Sequence, residues 1–255
     1  MVYNFYIEGK LSTNWTTANS ERQAFPGNSL NSQLDRYLKA TSIVDCNNPL
    51  IIEKAENLCK DKRDDIRKAI ALFYFVRDEI KYNIYTKKSS SENFQASTTL
   101  LKKEGYCVQK AVLLASLARS IGIPAGIGFA RIKNNLMPEK TLKWLTTNIL
   151  PFHGFSELFI NGQWVKATPA FDLATCKDSK TIPVDFDGIH DAMFNPRNQD
   201  GQLHIEYLKY FGRYPDVPLK KLHSLVLQSF GRKFLDPVNY RWTLYFGKLK
   251  SPVTN

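Results

Sequence analysis

Gly105-Tyr106-Cys107-Val108-Gln109-Lys110-Ala111-Val112-Leu113-Leu114-Ala115-Ser116-Leu117-Ala118-Arg119-Ser120-Ile121-Gly122-Ile123-Pro124-Ala125 is the stretch whose reading decides the fold. Ala111, Ala115 and Ala118 recur at helical spacing, so they share one face, and small side chains there let a helix approach a neighbouring layer closely. Leu113, Leu114, Leu117 and Ile121 widen that face into the stripe of a buried helix. Gly122 supplies the stop and Pro124 forbids continuation. Cys107 therefore falls in the first turn, where unpaired N–H groups and the positive end of the helix dipole stabilise a thiolate. Those N–H groups could also receive a developing oxyanion. Placement alone leaves two readings open, a buried inert cysteine and a nucleophile.

A second stretch bears on that choice. Phe152-His153-Gly154-Phe155-Ser156-Glu157-Leu158-Phe159-Ile160 is followed by Asn161-Gly162 and then Gln163-Trp164-Val165-Lys166-Ala167-Thr168-Pro169. Asn-Gly between two strand-like runs is a strong signal for a two-residue hairpin. The implied register sets Phe159 against Trp164, Glu157 against Lys166 and His153 against Ala170, with His153, Phe155 and Glu157 on one sheet face. A histidine heading such a hairpin is a candidate base for the thiol.

Gly-Tyr-Cys, the helix after it and Gly-Ile-Pro-Ala, joined to His153-Gly-Phe155-Ser-Glu157, the turn, Trp164 and Thr168-Pro169, resemble the transglutaminase-like superfamily. Phe75-Val-Arg-Asp-Glu-Ile-Lys-Tyr82 is similar to the helix and tyrosine that precede the cysteine in that family, and the resemblance spans about residues 40–220. It implies an α+β fold with a papain-like Cys-His-Asp constellation, the nucleophile heading a helix packed on an antiparallel sheet. Cys107 is then the nucleophile and His153 the base, with Gly105, Tyr106, Phe155 and Trp144 as substrate-binding candidates. The family's Asp-Pro aspartate falls on Thr168, which carries no charge. If the strand continues past Pro169, Asp172 shares the face of residues 168 and 170. Asp172 is thus the first candidate to orient the imidazole, and Thr168 the second.

Length and composition bound the rest. At 255 residues the chain can bury a substantial core. The expected division is an N-terminal extension over 1–40, a catalytic domain over 41–220, and a basic aromatic segment over 221–255 packed on the core. No apolar run is long enough for a membrane span, and Met1–Lys10 shows no signal-peptide pattern, so a cytoplasmic location is expected. Cys46, Cys59, Cys107 and Cys176 show no CxxC spacing, which indicates neither a zinc site nor a redox pair. The net charge of +11, from 35 basic and 24 acidic residues, suits acidic partners, but the lysines are dispersed and nucleic acid is disfavoured.

Along the chain, residues 1–33 read as a strand or two and a loop, and Leu38–Asp45 as an extended piece. Helices start at Asn48-Pro49 and at Asp64-Asp65. Lys87–Ser91 reads as a surface loop, and Ser97 as the cap of a short helix through Leu101. A strand is expected over Gly126–Ile132, and residues 133–151 as a long insertion or lid carrying Trp144. Val184–Asn195 has three aspartates and a histidine without the ligand register of a calcium loop. Together with an aromatic helix over His204–Phe211, it resembles one bacterial and archaeal-type branch of the family, made of transglutaminase-like cysteine peptidases. A last strand is expected at Tyr240–Phe246.

The expected chemistry is acyl transfer through a Cys107 thioester on a protein or peptide substrate, without cofactor or metal. Hydrolysis is preferred to amine crosslinking because no acidic calcium cluster is visible. The rival from another class is a catalytically silent binding domain, in which Thr168 marks lost chemistry. The oligomeric state is left open.

Overall fold

A computed structural model of the chain describes residues 33–86 and 90–230. The strands expected before residue 33 and at Tyr240–Phe246, and most of the polar loop at 87–91, lie outside those residues. Leu38–Asp45 is a run of turns rather than an extended piece, closed by Thr41 N–H donating to Val44 O at 3.0 Å and by the Thr41 hydroxyl accepting from Val44 N–H at 2.9 Å.

Helix α1, Pro49–Cys59, starts as the sequence predicts: the Asn48 side chain accepts from Leu50 N–H at 3.0 Å and Pro49 occupies the first turn. Helix α2, Asp65–Glu79, is capped by Asp64, which accepts from Arg67 N–H at 2.8 Å. A two-residue strand β1, Lys81–Tyr82, leads through a 3-10 turn at Ser91–Phe94 to helix α3, Ala96–Lys102. Ser97 does not cap α3. It lies inside the helix, and its hydroxyl and N–H both turn to the Asp45 carboxylate. Strand β2, Glu104–Gly105, pairs in parallel with β1 and delivers the chain to helix α4, Cys107–Ser120.

α4 is the centre of the molecule. Every residue from Val108 to Arg119 is buried, so the apolar stripe read from the sequence has become a whole circumference. Burying one Leu or Val there stabilises by roughly 1.5–3 kcal/mol. Strands β3, Ala125–Asn134, and β4, Ile149–Ile160, form a long antiparallel pair beside it, joined through helix α5, Glu139–Leu145. The supposed insertion at 133–151 is thus mostly the two strand ends and one short helix, and the side chain of Trp144 lies outside the described set.

Strand β5, Gln163–Ala167, closes the predicted hairpin. Asn161 and Gly162 have φ of 49° and 83°, as a two-residue type I′ turn requires, and Phe159 pairs with Trp164 and Glu157 with Lys166. The register is as read, but the ion pair is not. The buried Glu157 carboxylate accepts from Arg213 Nε at 2.8 Å and Tyr210 Oη at 2.6 Å, while Lys166 Nζ binds Asp191 at 3.0 Å.

Beyond β5 come helix α6, Leu173–Ser179, strand β6, Ile205–Tyr214, and helix α7, Leu219–Phe230. The sheet order is β5-β4-β3-β6. The expected aromatic helix over His204–Phe211 is therefore the edge strand β6. Ring spacing there fits either period, and pairing with β3, from Ile127 opposite Tyr214 to Asn134 opposite Ile205, decides for the sheet.

Candidate active site

Cys107 is the first residue of α4 and is half-buried. The helix start is held by Gln109, whose Oε1 accepts from Tyr106 N–H at 3.1 Å and from the Thr86 hydroxyl at 2.6 Å, while its Nε2 donates to Asn93 O at 2.6 Å. Gln109 was not among the sequence candidates. The signal was present, since Gln three places after the cap position is half of a capping box.

Lys110, one turn on, is fully buried. Its ammonium donates to Arg77 O at 3.1 Å and to Ile80 O, covering the last carbonyls of α2. Burial pushes its pKa down to about 7 against the pull of Asp172 and Asp78.

His153 reaches the site through β4. Successive β4 side chains alternate: the Ser156 hydroxyl donates to Ala111 O at 2.8 Å, and a Cβ on Gly154 would lie 2.8 Å from Val108 Cγ2 and 3.0 Å from Val108 Cα. Only glycine permits that approach. β4 and α4 therefore run in the same direction, and Cys107 and His153 each lie one residue upstream of their tightest contact. His153 itself is on the other face, with Phe155 and Glu157 as expected. β5 ends at Ala167 opposite Ser156, so it does not pair with residues 153–155 of β4.

The imidazole is 3% exposed, and its Nε2 has no hydrogen-bond partner among the described residues. Its neighbours are aromatic: the rings of Phe194 at 4.8 Å, Phe155 at 6.1 Å and Tyr207 at 6.2 Å. Burial without a counter-charge lowers its pKa to about 3. Tyr207 neighbours both halves of the site. Its hydroxyl accepts from Phe194 N–H at 3.2 Å and shares a hydrogen bond with Thr168; burial first, and a Cys107 thiolate among the further causes, set its pKa above the ordinary tyrosine value. Tyr82 and Tyr106 feel the same sulfur.

The remaining sequence candidates fall elsewhere. The premise that carried Asp172 to His153 fails, because β5 stops before Pro169 and His153 does not pair with Ala170. Asp172 instead caps α6: Oδ1 accepts from Thr175 N–H at 2.7 Å, and Oδ2 accepts from Tyr82 N–H at 2.6 Å and from the Thr175 hydroxyl at 3.1 Å. These bonds hold its carboxylate below the usual range despite burial. Thr168 is buried, its hydroxyl shared between Tyr207 and Met193 Sδ, the latter at 3.4 Å. Gly105 does not leave room for substrate, since a Cβ there would meet Thr99 Cγ2 and Gln109 Cβ, both at 3.1 Å. Tyr106 is a core residue with its ring edge-on to Phe94, and Phe155 is wholly buried against Tyr210. Among the described residues no group of three His, Cys, Asp or Glu is placed to hold a metal, and no helix is long and apolar enough to cross a membrane.

Residues 52–169 match the model of the Transglutaminase-like superfamily. No curated protein matches the chain in sequence. Among solved structures, a proposed cysteine protease from Cytophaga hutchinsonii is similar at 13% identity and TM-score 0.44, over 74% of this chain and 57% of that one. A proposed protease from Parabacteroides distasonis aligns at 14% identity and TM-score 0.34, over 54% and 25% of the two chains. A protein named as a TGase aligns at 12% identity and TM-score 0.30, over 61% and 36%. The chain thus spans little more than half the length of the first of these, and less of the other two. With the cysteine heading its central helix and the histidine on the abutting strand, the segment 52–169 belongs to the transglutaminase-like superfamily.

Proposed function

We propose that this protein is a cysteine-dependent hydrolase of the transglutaminase-like peptidase branch, cleaving an amide bond in a protein or peptide through a thioester on Cys107. The observation that supports it best is that Tyr207 borders both candidates: its ring lies 6.2 Å from the His153 imidazole, and a Cys107 thiolate is among the charges that act on its hydroxyl. In this reading His153 takes the thiol proton as the sulfur attacks the carbonyl, and the first-turn N–H groups of α4 receive the oxyanion. His153 then protonates the leaving amine, and water resolves the acyl-enzyme. Burial holds the imidazole in its neutral form, the form that can accept a thiol proton. None of Cys46, Cys59, Cys107 and Cys176 is in a disulfide, which fits a reducing compartment such as the cytoplasm.

The test is release of peptides from unfolded casein. Cys107→Ala should abolish cleavage, and His153→Ala should slow it by a factor of at least about 100. Cleavage by Cys107→Ala at the wild-type rate would overturn the proposal. A second reading, a silent binding domain, is favoured by one specific observation: an imidazole enclosed by aromatic rings without a carboxylate partner. It predicts no cleavage by the wild-type protein.

A further inference from the structure

Phe194 and Tyr207 lie in the stretches Val184–Asn195 and His204–Phe211, to which no role at the site has been given, and both rings contact the histidine. The Phe194 ring lies over the imidazole at 4.8 Å with a 37° tilt. Its own backbone is fixed, since Phe194 N–H donates to Tyr207 Oη at 3.2 Å, and that hydroxyl is joined to Thr168. The strand-like segment before it is laced to the end of β5: Thr168 N–H donates to Ala192 O and Ala192 N–H to Lys166 O, both at 2.8 Å. Lys166 N–H and Nζ bind the Asp191 carboxylate at 2.8 and 3.0 Å. Phe194 also packs on Phe171 at 4.7 Å with a 35° tilt, and Phe171 meets Tyr82 edge-on at 4.7 Å. Tyr82 N–H is in turn the donor to Asp172. The rings of His153, Phe194, Phe171 and Tyr82 thus form one chain of ring contacts, tied down at Thr168 and Asp172.

We propose that Phe194 and Tyr207 are the positioning residues of His153, fixing the plane of the imidazole by stacking and by a locked loop where no carboxylate among the described residues binds the ring. A ring held between aromatic faces keeps one orientation without a charged partner, and the hydroxyl of Tyr207 sets the height of Phe194 above it. Titratable groups on the same sheet face are Tyr207 and Tyr210 of β6 and Glu157 of β4, the last already bound to Tyr210 and Arg213; a Cys107 thiolate at the start of α4 acts on Tyr207. Asp172 then acts at a distance, through Tyr82 and Phe171.

For its kinetic consequence the proposal rests on the acyl-transfer reading above, so its test has a readout independent of turnover. The ring signals of His153 are followed by NMR in protein labelled at histidine, beside kcat and KM. Phe194→Leu keeps an apolar side chain over the ring but removes the aromatic face; Tyr207→Phe removes the acceptor of Phe194 N–H and keeps the ring. Both should broaden or double the His153 signals and lower kcat at least about tenfold with KM within twofold, and Phe194→Tyr should restore one sharp set. Thr168→Asp added to Phe194→Leu should raise the His153 titration midpoint and recover activity. Unchanged ring signals in both Phe194→Leu and Tyr207→Phe, with wild-type kcat, would overturn the proposal; should one variant fail to fold, the other decides alone by the same criterion. A wild-type protein without Cys107-dependent turnover, but with His153 signals that respond to both variants, would leave the positioning role standing and remove the acyl-transfer reading.

Discussion

At the scale of the residue, the site is governed by burial more than by charge. His153 has lost its water and gained aromatic rings, and its pKa falls to about 3 for that reason alone. The linkage sign follows. On acidification the unfolded chain takes up this proton first, near the ordinary histidine value, while the folded chain resists until about pH 3. Stability is therefore lost as pH falls through that window, at up to ~1.4 kcal/mol per pH unit from this one group. Urea unfolding of wild type and of His153→Leu between pH 7 and pH 4 should show the two curves converging as pH drops. Parallel curves would mean that the imidazole titrates alike in the folded and unfolded chains.

At the scale of the element, the α4–β4 seam joins the strand of His153 to the helix that Cys107 heads, and Gly154 sets the seam. Gly154→Ala must push the strand off Val108 Cα as well as its side chain. It should cost roughly 1–3 kcal/mol of stability and lower activity further than that loss explains. Adding Val108→Ala removes the Cγ2 clash at 2.8 Å but leaves the backbone contact at 3.0 Å, so it should recover only part of the stability. Full recovery would show that the seam is looser than the contact implies.

This seam also divides what the sequence revealed from what it hid. The helix, its stop, the hairpin turn and the register were legible because each is written in local spacing: apolar recurrence, Asn161-Gly162, Pro124. The places of Cys107 at the helix start and of His153 in the hairpin strand were legible for the same reason. Asp172 was misassigned because strand parity is valid only while the strand lasts, and the end of β5 is set by its pairing with the distant Ala192 loop. Tyr207 was missed because its segment fits a helix as readily as a strand until β3 is beside it.

For the whole molecule, a few buried polar side chains tie segments that lie far apart in sequence. Arg119, at the end of α4, donates through Nε to Ala125 O at 2.8 Å and through Nη1 to Lys39 O at 2.7 Å, and its Nη2 reaches Pro215 O. Three chain segments meet on one guanidinium, whose burial lowers its pKa to about 10. Arg119→Met keeps volume but strands three carbonyls, each costing about 1–3 kcal/mol if left unpaired. The variant should lose at least about 3 kcal/mol by urea unfolding. A loss below about 1 kcal/mol would mean that water takes over the carbonyls and that the junction is not a structural node.

The central claim is that the Cys107 sulfur and the His153 imidazole act as nucleophile and base. It is tested most directly by single-turnover reaction with a short peptide p-nitrophenyl ester, quenched in acid and read by mass spectrometry of the intact protein and its fragments. The account predicts one acyl group, carried by Cys107 and not by Cys46, Cys59 or Cys176, forming at least about 100 times more slowly in His153→Ala. Acylation spread over the four cysteines, or formed at the same rate without the imidazole, would contradict it.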